Sequence, residues 1–144
     1  MVRHSQGITL VELLVVMAII SVMLAFVGPP VSAGLDNLRL TSTSQRMLSA
    51  FRQAQTTART MGQRVYATYD ENNLKFFRAD HVSQTLTMPS GVRLVVSRRF
   101  ATVIFLESGR IIGPETLELI NNRGRRIRLS IDHASGSVQL EQGS

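Results

Sequence analysis

The sequence contains no cysteine, which excludes disulfide scaffolds, thiolate zinc sites and cysteine nucleophiles but leaves the cellular compartment open. It also lacks histidines at metal-ligand spacing, because His4, His81 and His133 are far apart in the chain. No glycine-rich phosphate loop is present, and Glu115 and Glu118 flank a predicted strand start instead of forming a carboxylate pair. The sequence therefore predicts a protein that is not an enzyme, with no metal and no cofactor.

Lysine is almost absent as well, since Lys75 is the only one. Nearly all of the 16 basic residues are therefore arginine, and they outnumber the 10 acidic residues to give a formal net charge of +6. A basic surface dominated by arginine suits anionic partners such as phosphate, nucleic acid or lipid headgroups. With 144 residues, the chain has room for one small domain.

A long apolar run dominates the N-terminal part of the chain. Residues Ile8 to Val27 are almost wholly aliphatic, and a helix of that length spans about 30 Å, the thickness of a bilayer hydrocarbon core. Only Glu12 interrupts the run, and an ionised carboxylate inside a membrane costs at least ~2.5 kcal/mol, so it requires a partner. The polar residues 1–7 contain Arg3, which by the positive-inside rule keeps this end in the cytoplasm and predicts translocation of the rest.

Two simple interpretations of this run do not use its acidic residue. A secretory signal peptide would be cleaved after Ala33, because Val31-Ser32-Ala33 offers small residues beyond the break at Gly28-Pro29-Pro30. An uncleaved single-span anchor would keep the whole segment in the membrane. Neither a signal peptide nor a simple anchor has a use for Glu12.

A third interpretation gives Glu12 a role. Gly7 followed by Ile8-Thr9-Leu10-Val11-Glu12-Leu13-Leu14 resembles the prepilin cleavage and methylation motif of the type IV pilin superfamily, which includes the pseudopilins of type II secretion. The resemblance implies that prepilin peptidase cuts between Gly7 and Ile8 and methylates the new amine of Ile8, which replaces the usual phenylalanine. Glu12 lies one helical turn from Ile8, and pairing its carboxylate with an ammonium of its own or an adjacent subunit avoids an unpaired charge.

The residues after this run predict a second helical segment. Pro29 predicts a kink or local unwinding, or alternatively a helix end, because proline removes a backbone donor and clashes with the preceding turn. An amphipathic helix is predicted from about Asp36 to Met61, with Gly62 as its stop. Its apolar stripe favours packing on a sheet over a coiled-coil seam and comprises Leu40, Ser44, Met47, Phe51, Ala54, Ala58 and Met61. The arginines off the stripe are Arg39, Arg46, Arg52 and Arg59.

After Gly62 the pattern changes from helical period to strand period. A long helix followed by six or seven antiparallel strands predicts an α+β domain in which the helix covers one face of a sheet. The predicted organisation is a leader peptide at 1–7, a transmembrane helix at 8–30, an amphipathic periplasmic helix at 31–62 and a β-rich periplasmic head at 63–144. The predicted strands are 64–69, 74–78, 92–97, 100–106, 116–120, 125–132 and 137–140.

The order of the predicted turns is similar to that of H-type minor pseudopilins and FimT-type pilins. Met88-Pro89-Ser90-Gly91-Val92 resembles their Leu-Pro-x-Gly-Val turn, Phe105-Leu106-Glu107-Ser108-Gly109 resembles their Phe-x-x-x-Gly turn, and residues 131–138 resemble their closing strand, turn and strand. The resemblance implies a pilin-like fold with a single-pass stem in the bacterial inner membrane and a head in the periplasm. The implied partners are other pilin or pseudopilin subunits, prepilin peptidase and secreted cargo.

Four arginines form the remaining candidate site, and we call them the arginine cluster: Arg123, Arg125, Arg126 and Arg128. Strand alternation points Arg126 and Arg128 outward, while Arg123 and Arg125 lie at the preceding turn. The cluster is a solvated face, a contact for an acidic neighbouring subunit, or a grip on DNA phosphates. In FimT-like pilins a C-terminal Gly-Arg-x-Arg pattern carries the DNA contact, and residues 124–128 are one residue out of that register. Arg98 and Arg99 lie in another predicted connection.

Two functions follow from the resemblance. The first is a minor pseudopilin of the type II secretion system, a structural subunit at or near the tip of the periplasmic pseudopilus. The alternative is a FimT/FimU-like minor type IV pilin that binds DNA in natural transformation or primes pilus assembly. DNA is a partner only under the alternative.

Overall fold

The computed structural model describes residues 9–70, 72–79, 81–96 and 102–142, and their side chains except at 27–33 and 142. The chain divides into two compact units, Met1–Leu35 and Asp36–Ser144. The described residues form one helix and nine strands: α1 Leu10–Met61, β1 Val65–Asp70, β2 Asn73–Arg78, β3 His81–Thr87, β4 Val92–Val95, β5 Thr102–Phe105, β6 Ile111–Ile112, β7 Thr116–Asn121, β8 Arg126–Ile131 and β9 Val138–Gln142.

The first unit contains the N-terminal part of α1, and its apolar side chains are exposed. Leu10 and Phe26 are each 79% exposed, and the aliphatic side chains between them are about half exposed or more. α1 continues without a break through Gly28-Pro29-Pro30, so the predicted local unwinding and the alternative of a helix end at this position are both wrong. Within the described ranges, no helix is both long enough and apolar enough to cross a lipid bilayer.

The part of α1 that belongs to the second unit packs through the predicted apolar stripe. Phe51 is fully buried, and its ring meets the edges of Phe76 on β2 and Phe105 on β5 at centroid distances of 6.0 and 5.3 Å. Met61 is the exception, because its side chain is 54% exposed at the end of the helix. Gly62 stops the helix as predicted, with a φ of 60° that glycine adopts without steric cost.

The strands form two antiparallel sheets, not the one sheet that the sequence predicts. The first sheet has the order β3-β2-β1-β5-β6, and the second has the order β4-β7-β8-β9. The two sheets are separate because β5 pairs with β1 of the first sheet, although it follows β4 of the second sheet along the chain. Buried side chains from both sheets join those of α1 in one hydrophobic core. The predicted α+β class is therefore confirmed.

Two strands are missing from the sequence-based prediction. β3 lies at an edge of the first sheet, and its residues are largely exposed. A strand with no buried face does not need the regular alternation of apolar and polar residues by which strands are predicted. His81, which lies outside the strands predicted from the sequence, is the first residue of β3. β6 has only two residues, too few to give a pattern. The predicted strand ends at Ser97 and Phe100 lie outside the described residues.

Gln55 on α1 connects the two sheets at the end of the core. Its Nε2 donates to the carbonyl oxygen of Gly109 at 2.5 Å and to that of Gly136 at 2.9 Å. Gly109 lies between β5 and β6 of the first sheet, whereas Gly136 lies between β8 and β9 of the second. A Cβ atom on Gly136 would stand 2.1 Å from the Gly109 carbonyl oxygen, so only glycine allows the two turns to approach this closely.

The turn that carries Gly136 is held by Asp132. The Ser135 hydroxyl donates to Oδ2 of Asp132 at 2.7 Å, and the Ala134 amide donates to Oδ1 at 2.9 Å. These hydrogen bonds favour the ionised carboxylate and lower the pKa of Asp132, with the Ser135 hydroxyl contributing most. The polar groups of this turn therefore fix the Gly136 carbonyl in front of Gln55.

We expect Gln55→Leu to destabilise the protein by about 2 to 4 kcal/mol, because leucine keeps the side-chain bulk but leaves two inward-facing carbonyls without their donor. Urea unfolding followed by circular dichroism measures the loss. The matched control is Gln53→Leu on the exposed side of the same helix, which we expect to change stability by less than about 0.5 kcal/mol. Equal losses in the two variants would contradict a connecting role for Gln55.

Candidate functional site

The N-terminal motif is described from Thr9 onward. Gly7 and Ile8 lie outside the described residues, so cleavage between them and methylation of Ile8 stay predictions. Thr9 precedes the first residue of α1, and its hydroxyl accepts a hydrogen bond from the Glu12 amide at 3.3 Å. Thr9 and Glu12 thus have the spacing of a helix-capping pair, a signal that the sequence analysis missed. The positive end of the helix dipole further favours the Glu12 carboxylate at this position.

The Glu12 side chain is exposed among exposed aliphatic neighbours. In the described part of the chain, the ion pairs involve other carboxylates, and none includes Glu12. Leu13 and Val16 remain 56% and 50% exposed beside it. The carboxylate therefore lies on an apolar helix surface without a cation from the described residues.

The structure divides the arginine cluster into two groups. Arg126 and Arg128 lie on β8 with exposed side chains, whereas Ile127 and Leu129 between and beyond them are 3% and 2% exposed. The predicted alternation is therefore confirmed for this strand. Arg123 and Arg125 are exposed in the connection between β7 and β8, as the sequence predicts. Arg98 and Arg99 lie outside the described residues.

Glu118 on β7 holds the two arginines of β8. Nη2 of Arg128 lies 2.8 Å from Oε1 of Glu118, and Nη1 of Arg126 lies 3.7 Å from Oε2. The Arg128 and Glu118 positions are direct cross-strand partners, which explains the shorter contact. Ion pairs this exposed contribute little stability, about 0 to 1 kcal/mol, so they orient the guanidinium groups more than they stabilise the sheet.

Arg93 adds a third arginine to the same sheet face. On β4 it is paired with Ile120 of β7, which is paired in turn with Arg126 of β8. Two residues farther along β8, Arg128 is paired with Glu141 of β9. Three arginines and two glutamates therefore share this face of the second sheet and leave one net positive charge. Arg93 is not among the residues predicted from the sequence, although the alternation of Val92-Arg93-Leu94-Val95 was the available signal.

Asn121 fixes the connection that carries the other two arginines. Its side chain is 2% exposed, and its Oδ1 accepts hydrogen bonds from the Arg123 amide at 3.0 Å and the Arg125 amide at 2.9 Å. Its Nδ2 donates to Oδ1 of Asn37 on α1 at 3.3 Å. One buried side-chain amide therefore binds the turn to the helix, and it is not among the residues predicted from the sequence.

An ion pair reinforces this attachment. Nε of Arg123 lies 3.2 Å from Oδ2 of Asp36, and Nη1 of Arg39 lies 3.9 Å from Oδ1 of the same carboxylate. The Asp36 side chain is 22% exposed, while those of Arg39 and Arg123 are about half exposed. Two guanidinium groups from distant parts of the chain thus share one carboxylate at the start of the second unit.

Comparison with known proteins identifies the N-terminal motif and the fold. Residues 2–28 match the family described as the prokaryotic N-terminal methylation motif. Comparison with curated protein sequences gives no significant match.

Three solved structures share the fold of most of the chain. The minor pseudopilin EpsH from the type 2 secretion system of Vibrio cholerae matches with a TM-score of 0.62 at 17% identity, covering 72% of this chain and 97% of EpsH. A second EpsH structure gives a TM-score of 0.60 at 17% identity, with coverage of 76% and 98%. The type IV minor pilin FimU of Pseudomonas aeruginosa gives 0.58 at 14% identity, with coverage of 71% and 92%.

At these identities the likeness to EpsH and FimU is one of fold, and it does not separate a pseudopilin from a pilin. The methylation motif covers residues 2–28, and the match to EpsH covers 72% of the chain. Together, the motif and the pilin-like α+β fold confirm the resemblance of this chain to the type IV pilin superfamily.

Proposed function

We propose that this chain is a minor pseudopilin of type II secretion, a structural and non-catalytic subunit at or near the tip of a periplasmic filament. Prepilin peptidase cuts it between Gly7 and Ile8 and methylates Ile8, the run Ile8–Val27 anchors it in the bacterial inner membrane, and the β-rich head lies in the periplasm. The observation that carries the role of a filament subunit, which pseudopilins and pilins share, is Glu12 within the methylation motif on an exposed apolar helix surface.

The exposed helix surface supports an apolar environment for the N-terminal part of α1. Between Leu10 and Phe26, large aliphatic side chains remain half exposed or more on all sides of the helix. A contiguous apolar surface of this size is typical of a membrane or protein interaction site, because water hydrates it poorly. In the proposed function, lipid covers this surface before assembly and the helices of neighbouring subunits cover it afterwards.

Glu12 then determines how a subunit is incorporated. Once neighbouring helices replace lipid around it, its carboxylate needs a cation, and the described residues of its own chain supply none as an ion pair. The methylated amine of Ile8 in the adjacent subunit is the proposed partner. Pairing these charges stabilises the assembled subunit relative to one in which both remain apart.

The outward face of the second sheet supports a protein contact. Its charges are mixed in sign. Glu118 on β7 forms ion pairs with both Arg126 and Arg128 on β8, and Glu141 on β9 is the cross-strand partner of Arg128. Charges of mixed sign give specificity to a protein–protein contact, whereas a nucleic-acid surface is dominated by positive charge. This face is therefore the proposed contact with a neighbouring subunit or secreted cargo.

We expect Glu12→Ala to leave cleavage and membrane insertion intact but to reduce incorporation into filaments by about tenfold or more, the factor that corresponds to ~1.4 kcal/mol of lost charge pairing. The ratio of the variant to the other subunits in sheared filaments from the native host measures this effect. Ser21→Ala is the matched control, since the Ser21 hydroxyl only donates to the Met17 carbonyl of its own helix at 2.8 Å. Normal incorporation of the Glu12 variant would refute the charge-pairing account.

The second candidate is a FimT/FimU-like minor pilin that binds DNA or primes pilus assembly. Two observations favour it: the fold is similar to that of FimU, and Arg126 remains 62% exposed with only a 3.7 Å contact to Glu118. Exposed guanidinium groups can contact DNA phosphates without base specificity.

If the secretion function is correct, the detergent-solubilised chain should show no micromolar binding to double-stranded DNA at low salt. Fluorescence anisotropy with a labelled duplex, titrated with salt, makes the test. Binding that weakens steeply with salt and is lost in Arg126→Ala/Arg128→Ala, but not in the control Arg46→Ala/Arg52→Ala on the exposed side of α1, would establish the DNA-binding pilin instead.

A further inference from the structure

We propose that a cluster of charged residues at the start of the second unit binds the phosphate headgroups of an anionic lipid surface. We call it the Asp36 cluster, and it consists of Asp36, Arg39, Arg123 and Arg125. This inference rests on the proposed membrane anchor, because the cluster acts on the surface of the bilayer that holds the chain.

The cluster is preformed by contacts between distant parts of the chain. Arg123 is separated from Asp36 by 87 positions in sequence, and the two meet through the 3.2 Å contact between Nε and Oδ2. The buried Asn121 side chain accepts hydrogen bonds from the backbone amides of Arg123 and Arg125, and it donates one to Asn37. A turn that is already ordered loses less conformational entropy when it binds, which favours recognition of a ligand by its arginines.

The charge of the cluster suits a phosphate surface. Three arginines against one aspartate leave two net positive charges, and the arginine side chains are exposed. Guanidinium groups bind phosphate oxygens through paired hydrogen bonds, which an ammonium group cannot reproduce. Near an anionic membrane, each such arginine strengthens binding about fivefold.

Covalent continuity favours a lipid over a free polyanion as the ligand. Asp36 is the first residue of the second unit, and it follows Phe26, in the proposed membrane anchor, by ten residues of α1. A head tethered this closely meets the lipid surface at a high effective concentration, so weak contacts with phosphate suffice. A DNA molecule in solution has no such advantage.

The absence of cysteine makes a direct test practicable. The full chain carrying Asn122→Cys in the exposed turn between Arg123 and Asn121 is labelled with a donor fluorophore and reconstituted in lipid nanodiscs. An acceptor on the headgroups reports energy transfer, and hence the ratio of docked to undocked heads. Discs of phosphatidylcholine are compared with discs that contain phosphatidylglycerol, at low and high salt.

We expect docking only with phosphatidylglycerol, and weaker docking at high salt. Arg123→Gln/Arg125→Gln should lower the docked-to-undocked ratio by about twentyfold, the combined effect of two arginines. The control Arg126→Gln/Arg128→Gln makes the same change in charge on the sheet face and should alter the ratio less than about twofold. Asp36→Asn removes the carboxylate that competes with lipid phosphate for Arg123, while the hydrogen bonds of Asn121 still hold the turn. This variant should raise the ratio about fivefold.

The lipid assignment would be overturned if the head docked equally on neutral and anionic discs, or if the Arg123/Arg125 variant docked as well as the unchanged chain. Neither result would contradict the proposed membrane anchor. Displacement of the head from anionic discs by a DNA duplex at equal phosphate concentration would also overturn the lipid assignment, because the cluster would then prefer nucleic acid. Failure of the chain to insert into any disc would instead refute the membrane anchor of the proposed function. The two proposals can therefore fail separately.

Discussion

One face of α1 packs against both sheets, and this packing positions the strands and turns of the second unit. Phe51 lies at its centre, where its ring contacts Phe76 and Phe105 with no exposure to solvent. The small residues Ser44, Ala54 and Ala58 are buried along the same face and allow strands to approach the helix closely. Because this face is fully used in the core, the arginines of α1 remain on its other side, exposed to solvent.

Polar contacts at the two ends of this packed helix determine where the turns lie. Gln55 holds the Gly109 and Gly136 carbonyls of both sheets, whereas Asn37 and Asp36 hold the turn that carries Arg123. Burial supplies most of the free energy of folding, but it has no direction, and hydrogen bonds of this kind supply the orientation. The positions of the surface arginines are thus a consequence of how the helix is attached at each end.

The sequence was sufficient for features that depend on periodicity or on a local signal. The apolar stripe of the second half of α1 and the alternation of β8 were predicted because each repeats with a regular period within one element. The end of α1 was predicted because Gly62 is a local stop signal. The split into two sheets was not predictable from such patterns, since it depends on β5 pairing with β1 across a large sequence separation. Exposed β3 and two-residue β6 had no pattern to detect.

The candidate site was predicted only in part for a similar reason. The arginines of β8 and the adjacent turn stand out as a local concentration of charge. The residues that hold them do not: Glu118, Asn121 and Asp36 act through partners on other elements, and Arg93 reaches the same face through the register of β4 with β7. The alternation within β4 indicates that Arg93 points outward, but the partners of these residues are set by tertiary pairing, which leaves no signal in a single sequence.

Intact-mass spectrometry of the chain purified from its native membrane tests whether a prepilin-type N-terminus carries the pilin-like head. We expect loss of Met1 to Gly7 and the addition of one methyl group, so that the mature chain begins with N-methyl-Ile8. A chain that begins at Gly34 would show processing as a secretory signal peptide. A chain that retains residues 1–7 would show a simple anchor, and either result would contradict the account.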